Sequence, residues 1–228
     1  MRSSTGSSKF FSISAWVSAL LVLISIANGS TAQAVAVHTA APKASSLLAK
    51  LPIRSSSSMA GYARRNFSDG WGYIGNCDLR NYILIRDLTQ ITYRKSPACT
   101  VATGTLHDPY TGSNIHFVRG VSTSSAVQID HVVALGNAWQ TGAKALAAST
   151  RYNLANDPLE LLAVDGPTNE SKGDADAANW LPRQGYQCAY VARQIAVKYK
   201  YHLWVTRAEH DAMAGVLVSC PKQTVPTS

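Results

Sequence analysis

Residues Val127 to Trp139 read VQIDHVVALGNAW, an aliphatic stretch carrying Asp130 and His131 side by side. An Asp carboxylate is a hard anionic ligand, and a His imidazole titrates near neutrality and can take a proton from water. Val127, Ile129, Val132 and Val133 predict a buried strand. Consecutive strand residues point to opposite faces, so Asp130 and His131 cannot both meet one apolar core. An isolated Asp-His pair is satisfied by one exposed and one hydrogen-bonded side chain, so the surrounding sequence has to decide.

The deciding stretch is TNESKGD, Thr168 to Asp174, which follows a short apolar strand predicted over Leu159 to Val164. Strand, loop, strand and polar helix start together form a ββα layout able to cup one metal ion. Asp130 offers an anionic oxygen and Asn169 a carboxamide oxygen. Two such ligands, with water and phosphate completing the shell, suit Mg²⁺, and Mn²⁺ is the alternative. Lys172 at the helix start is a phosphate-contact candidate. Arg151 and Arg119 are candidates to line a groove.

The elements that must hold these residues are less sharply marked. Asn81 to Arg94 is apolar-rich and fits helix or strand. Thr100 to Gly120 predicts a hairpin, because DPYTGSN supplies turn-forming Asp, Pro and Gly between apolar runs. Leu135 to Ser149 is Ala-rich and predicts a helix despite Gly142. Val191, Ile195 and Tyr199 recur at helical spacing within Cys188 to Leu203. Thr206 and Glu209 form a capping-box signature opening a second helix to about Ser219. These two helices predict a C-terminal helical hairpin.

Arg2 and Lys9, the uncharged run Phe10 to Ala27 and the small residues Ala32 and Ala34 predict an export signal over residues 1–34, cut after Ala34. An uncleaved N-terminal anchor is the competing reading. Residues 35–60, rich in Ala, Ser and Pro, are expected to be a flexible lead-in, residues 61–222 one domain and residues 223–228 a tail. The chain carries 21 Lys and Arg against 13 Asp and Glu, a net charge of +8. This excess suits a polyanionic partner. Cys77, Cys99, Cys188 and Cys220 point to two disulfides after export. Three pairings can be drawn. Cys77 with Cys99 and Cys188 with Cys220 each bracket a contiguous subregion, and the second pair would clamp the helical hairpin. A four-cysteine zinc site lacks the C-x2-C spacing.

The runs IDHVVALGNAW, ANDPLELLAVDGPTNESKGDADAANWLP and CAYVARQIAVKY resemble the secreted HNH endonucleases of the His-Me finger (ββα-metal) class. They are closest to HNH domains similar to the C-terminal domain of GmrSD restriction enzymes. The resemblance spans about Gly61 to Cys220. It implies an α+β single domain whose ββα-metal core covers about residues 127–182, with an N-terminal β-hairpin region. It further implies Asp130 and Asn169 as metal ligands and His131 as general base. Asn156 is assigned as the middle motif residue, orienting the base loop by hydrogen bonds. The chain departs there from the commoner NLxxL register, with Glu160 near the expected spot.

The expected function is a secreted endonuclease, using a divalent metal to hydrolyse DNA, RNA or both, with no stable membrane association after signal cleavage. The alternative is a catalytically inactive secreted module that binds nucleic acid or cell-wall polymer. No GxSxG or HExxH motif is present, so a peptide or glycan hydrolase has no recognisable machinery here.

Overall fold

The computed structural model describes residues 41–95 and 99–227. The expected signal over residues 1–34 and the first part of the lead-in lie outside them. Residues 41–60, expected to be a flexible lead-in, are instead built into the domain. Helix α1 (Ala44–Leu48) buries Ala44, Leu47 and Leu48 against the C-terminal helices, and Leu51 follows them into the core. Lys43 bridges Thr224, and Ile53 bridges Val205. The expected tail is therefore held as well, with Val225 buried. The Ala- and Ser-rich composition hid an apolar face that three leucines make at helical spacing.

A small hairpin, β1 (Tyr73–Ile74) and β2 (Cys77–Asp78), leads into α2 (Leu79–Asp87). The Asp78 carboxylate starts α2 by accepting the Asn81 N–H at 2.8 Å. The ambiguous stretch from Asn81 is thus both helix and strand, since β3 (Leu88–Tyr93) follows α2 directly. β3, β4 (Val101–His107) and β5 (Asn114–Val118) form an antiparallel sheet, β4 and β5 making the predicted hairpin. Cys77 is disulfide-bonded to Cys99, tying the small hairpin to the approach of β4.

β6 (Val127–His131) pairs antiparallel with β7 (Leu161–Asp165), with Asp130 opposite Leu162 and His131 opposite Leu161. This strand pair lies between two apolar clusters. Val127, Ile129, Leu161 and Ala163 face the smaller cluster with α2 and the three-stranded sheet, while Leu162 and Val164 enter the larger one. Burial on both faces explains why β7 reads as a near-continuous aliphatic run, whereas β6 places Val127 and Ile129 on alternate positions.

The helix expected over Leu135 to Ser149 is interrupted. α3 (Leu135–Gln140) ends before Gly142, whose φ of +131° no L side chain adopts comfortably. A 3-10 turn (Ala143–Ala145) and α4 (Ala148–Ala155) follow. After β7 comes α5 (Gly166–Lys172), begun by Asp165, which accepts from the Thr168 N–H at 2.9 Å. A Cβ at Gly166 would sit 2.0 Å from the Ser125 carbonyl oxygen, so only glycine lets α5 start this close to the 3-10 turn (Ser124–Ala126) that leads into β6.

α6 (Gln184–Lys200) and α7 (Arg207–Val218) form the predicted helical hairpin, and α7 opens with the Thr206/Glu209 capping box. Cys188 is bonded to Cys220, clamping the hairpin across a sequence separation of 32 residues. Serine at both positions is expected to cost about 2–4 kcal/mol of stability. Urea unfolding would check it, and an unshifted midpoint would contradict it. Among the described residues, no helix is long and apolar enough to cross a membrane.

Candidate active site

β6 carries Asp130 and His131 into opposite environments, and both are buried. Asp130 meets two donors. Lys172 Nζ donates to Oδ1 at 2.9 Å, and the Tyr110 hydroxyl donates to Oδ2 at 2.5 Å. Lys172 reaches it because it lies three residues after Asn169 on α5, so both side chains share the helix face turned to β6. Burial raises the Asp130 pKa above the ordinary carboxylate value, while Lys172 and Tyr110 pull it back down.

Tyr110 comes from the β4–β5 turn, and the turn is itself locked. Asp108 accepts the Thr111 N–H at 2.7 Å through one oxygen and the Asp165 N–H at 2.9 Å through the other. The sequence marks this segment only as a turn. Its function in the fold is to deliver a buried hydroxyl to Asp130.

His131 is held differently. Its Nε2 lies 3.0 Å from the carbonyl oxygen of Ala155, which can only accept, so Nε2 carries the proton. Nδ1 is then the basic nitrogen. The ring lies parallel to Trp71 within 8°, with centroids 6.1 Å apart. Burial pushes the imidazole pKa down to about 3, helped by the Arg64 charge and opposed by the Ala155 hydrogen bond. The ring is therefore neutral at physiological pH, as a general base must be.

His131 borders two adjoining cavities. One, of about 320 Å³, is lined by Asp130, His131, Asn169, Gln128, Glu170 and Arg64 among others. Asn169 Nδ2 donates to Gln128 Oε1 at 2.9 Å, which orients the carboxamide and leaves Oδ1 as its unengaged acceptor among the described residues. The other cavity, of about 340 Å³, is lined by Arg64, Arg65, Asp69, Trp71, Leu135 and Ala155 beside His131.

The donor set fits a hard cation. A carboxylate has about four lone-pair sites, of which Tyr110 and Lys172 use two at Asp130. Asn169 adds a neutral oxygen in the same polar cavity. Among the described residues, no group of three or more His, Cys, Asp and Glu side chains gathers as a metal site. A cation held by two protein oxygens and several waters matches the habits of Mg²⁺.

Several expected roles are changed by this geometry. Lys172 is no surface phosphate contact, since its side chain is fully buried and bonded to Asp130 and to the His131 carbonyl oxygen at 2.9 Å. Arg151 donates to the Asn66 carbonyl at 2.8 Å and lies over the Trp139 ring. Arg119 donates to the Val101 carbonyl and to Asn81 Oδ1, both at 2.6 Å. Both guanidiniums are tied to the fold, and neither lines the two cavities at His131.

Asn156 accepts the Gly72 N–H at 2.6 Å and donates to the Tyr152 carbonyl at 3.0 Å, so it holds the segment after Trp71. The chain that follows His131 is instead held by Glu160. Both of its carboxyl oxygens lie 3.2 Å from the Val133 nitrogen, and its carbonyl accepts the Val132 N–H at 2.9 Å. Burial raises the Glu160 pKa well above its ordinary value. Glu160→Gln keeps an acceptor for Val133 and is expected to melt within a few degrees of wild type. Glu160→Ala orphans a buried N–H and should lose about 1–3 kcal/mol or more. Because the folded carboxyl has the higher pKa, its contribution is present in acid and is lost as pH rises through that raised value. Thermal melts across pH would show this slope in wild type and not in Glu160→Gln. Equal slopes would contradict the reading.

Arg64, Trp71 and Tyr110 were not singled out from the sequence. The adjacent basic pair Arg64-Arg65 was the signal for one of them. Nothing in the chain order linked Trp71 to His131 or Tyr110 to Asp130.

A family model for the C-terminal domain of GmrSD restriction endonucleases matches residues 78–216, more than half of the chain. Over 183 residues the chain is 37% identical to a protein of Arthroderma benhamiae described as an uncharacterized secreted protein, covering 79% of this chain and 86% of that one. No solved structure matches it. A matched span that includes β6, β7 and α5, and with them the Asp130, His131 and Asn169 constellation, means that the chain belongs to the family of GmrSD restriction endonuclease C-terminal domains.

Proposed function

We propose that the protein is a secreted endonuclease of the HNH, ββα-metal type that hydrolyses phosphodiester bonds of DNA, RNA or both. The observation that carries this reading is the setting of His131. It is a neutral imidazole, with Nε2 pinned by the Ala155 carbonyl, in a cavity wall shared with Asp130 and Asn169. Nucleases of this type generally use a divalent metal ion. Asp130 and Asn169 are the residues that would hold it.

When bound, such a cation stabilises negative charge on the phosphate and on the departing 3′ oxygen. His131 Nδ1 takes a proton from water, whose oxygen bonds to phosphorus as the P–O3′ bond breaks in line. The products are a 5′-phosphate and a 3′-hydroxyl, the latter taking its proton from solvent. The Ala155 carbonyl keeps the base in one tautomer throughout. Lys172 and Tyr110 fix the Asp130 carboxylate and offset its charge. Arg64, exposed beside both cavities, supplies positive charge where a phosphate must lie.

Export of the chain is supported by its secreted relative and by the signal pattern of residues 1–34. Mapping the ends of a cleaved ribo-oligonucleotide tests the chemistry. Magnesium-dependent products with 5′-phosphates support it. Cyclic 2′,3′-phosphates formed equally well in EDTA would show attack by the ribose hydroxyl and refute it.

A further inference from the structure

The cavity lined by Trp71 and Arg64 has no assigned role in the hydrolysis of the phosphodiester itself. It adjoins His131 without being lined by Asp130 or Asn169, and its walls combine an indole, aliphatic Leu135 and Ala155, and two arginines. Its volume of about 340 Å³ is at the small end of sites for small organic molecules.

The segment that carries these residues is pre-organised. Asn66 donates to the Gly61 carbonyl at 2.8 Å and accepts from Arg151 at 2.8 Å through its own carbonyl. Phe67 is buried, its ring 6.1 Å from that of Trp139. Beyond Trp71, the Gly72 N–H is fastened to Asn156 at 2.6 Å. A Cβ at Gly72 would meet the Tyr152 hydroxyl at 2.8 Å and Asn156 Oδ1 at 3.1 Å, so any side chain here would have to displace both. Trp71 is half-buried, and its ring is parallel to that of the base His131. Among the described residues, Arg64 and Arg65 form no ion pair with a carboxylate.

An aromatic wall beside unpaired guanidiniums is the chemistry that receives a nucleobase and its phosphate. We propose that this cavity is a base subsite. Trp71 stacks on an unpaired base next to the scissile phosphate and Arg64 contacts the backbone, so single-stranded nucleic acid is the preferred substrate. A base inside a duplex has both faces covered by its neighbours and cannot use an indole without being extruded. The inference rests on the nuclease reading for the position of the scissile bond, while the binding it describes needs no catalysis.

The test is fluorescence anisotropy of the full chain in EDTA. The probes are a labelled single strand (DNA and RNA in separate arms), the blunt duplex and an abasic strand of equal length. Wild type should bind base-bearing single strands about tenfold or more tighter than the abasic strand. Trp71→Ala should abolish that difference, and Trp71→Phe should keep most of it. Arg64→Ala should weaken all strands alike and lower the salt slope by about one. Equal affinity of wild type for abasic and base-bearing strands would overturn the subsite without any variant having to fold. So would duplex binding as tight as single-strand binding and equally dependent on Trp71. The predicted binding pattern without cleavage under any divalent metal would leave the subsite standing and remove the nuclease reading.

Discussion

His131→Ala is expected to lower turnover on nucleic acid by about 10²–10⁴-fold, the usual contribution of a positioned general base. The imidazole is neutral because it is buried beside Arg64, and its tautomer is set by the Ala155 carbonyl. No other described side chain of the cavity offers a neutral nitrogen base in a fixed tautomer, so the loss should not be rescued by a neighbour. The ring contributes one hydrogen bond and a contact to Trp71. Circular dichroism should therefore show a folded variant with a modest fall in melting temperature. Turnover near that of wild type in a folded His131→Ala would remove the residue from the mechanism.

The second large effect is on stability. Asp130→Ala leaves the Lys172 ammonium, whose side chain has no exposed surface, without its carboxylate. Breaking a buried pair from one side costs about 3–5 kcal/mol. Lys172→Met should be comparably harmful, because Asp130 would keep only the Tyr110 hydroxyl. The double variant Asp130→Ala/Lys172→Met removes both charges and should recover much of the loss, a coupling that a double-mutant cycle reads directly. Additive losses in that cycle would show that the pair is not coupled. The same result bears on metal binding. Loss of magnesium affinity in Asp130→Ala is interpretable only at temperatures where the variant is folded.

Much of this site was legible because its chemistry is local in sequence. Asp130 and His131 are adjacent, Asn169 and Lys172 share one helix turn, and the strands carrying them pair as the apolar runs suggest. The β4–β5 hairpin and the Thr206 capping box were readable for the same reason, since their signals lie within a few residues.

What was not legible depends on contacts between distant segments. Tyr110 and Asp130 are 20 positions apart, and Arg151 and Asn66 are 85 apart. A lysine in so polar a stretch as Thr168 to Asp174 looks exposed in one dimension. It is buried here because β6 presents a carboxylate and a carbonyl to the same ammonium. The packed lead-in is a similar case, since Leu47, Leu48 and Leu51 have a buried face only once α6 and α7 supply the other half.

The central claim is that metal-dependent phosphodiester hydrolysis runs on His131. The most direct measurement is digestion of supercoiled plasmid and of single-stranded RNA by the purified chain and by its His131→Ala variant, with Mg²⁺ or with EDTA. Cleavage of at least one substrate with Mg²⁺, and its loss both in EDTA and in His131→Ala, is the predicted result. Intact substrates with every divalent metal tried, together with tight and salt-sensitive binding, would contradict it and identify a nucleic-acid binding module instead.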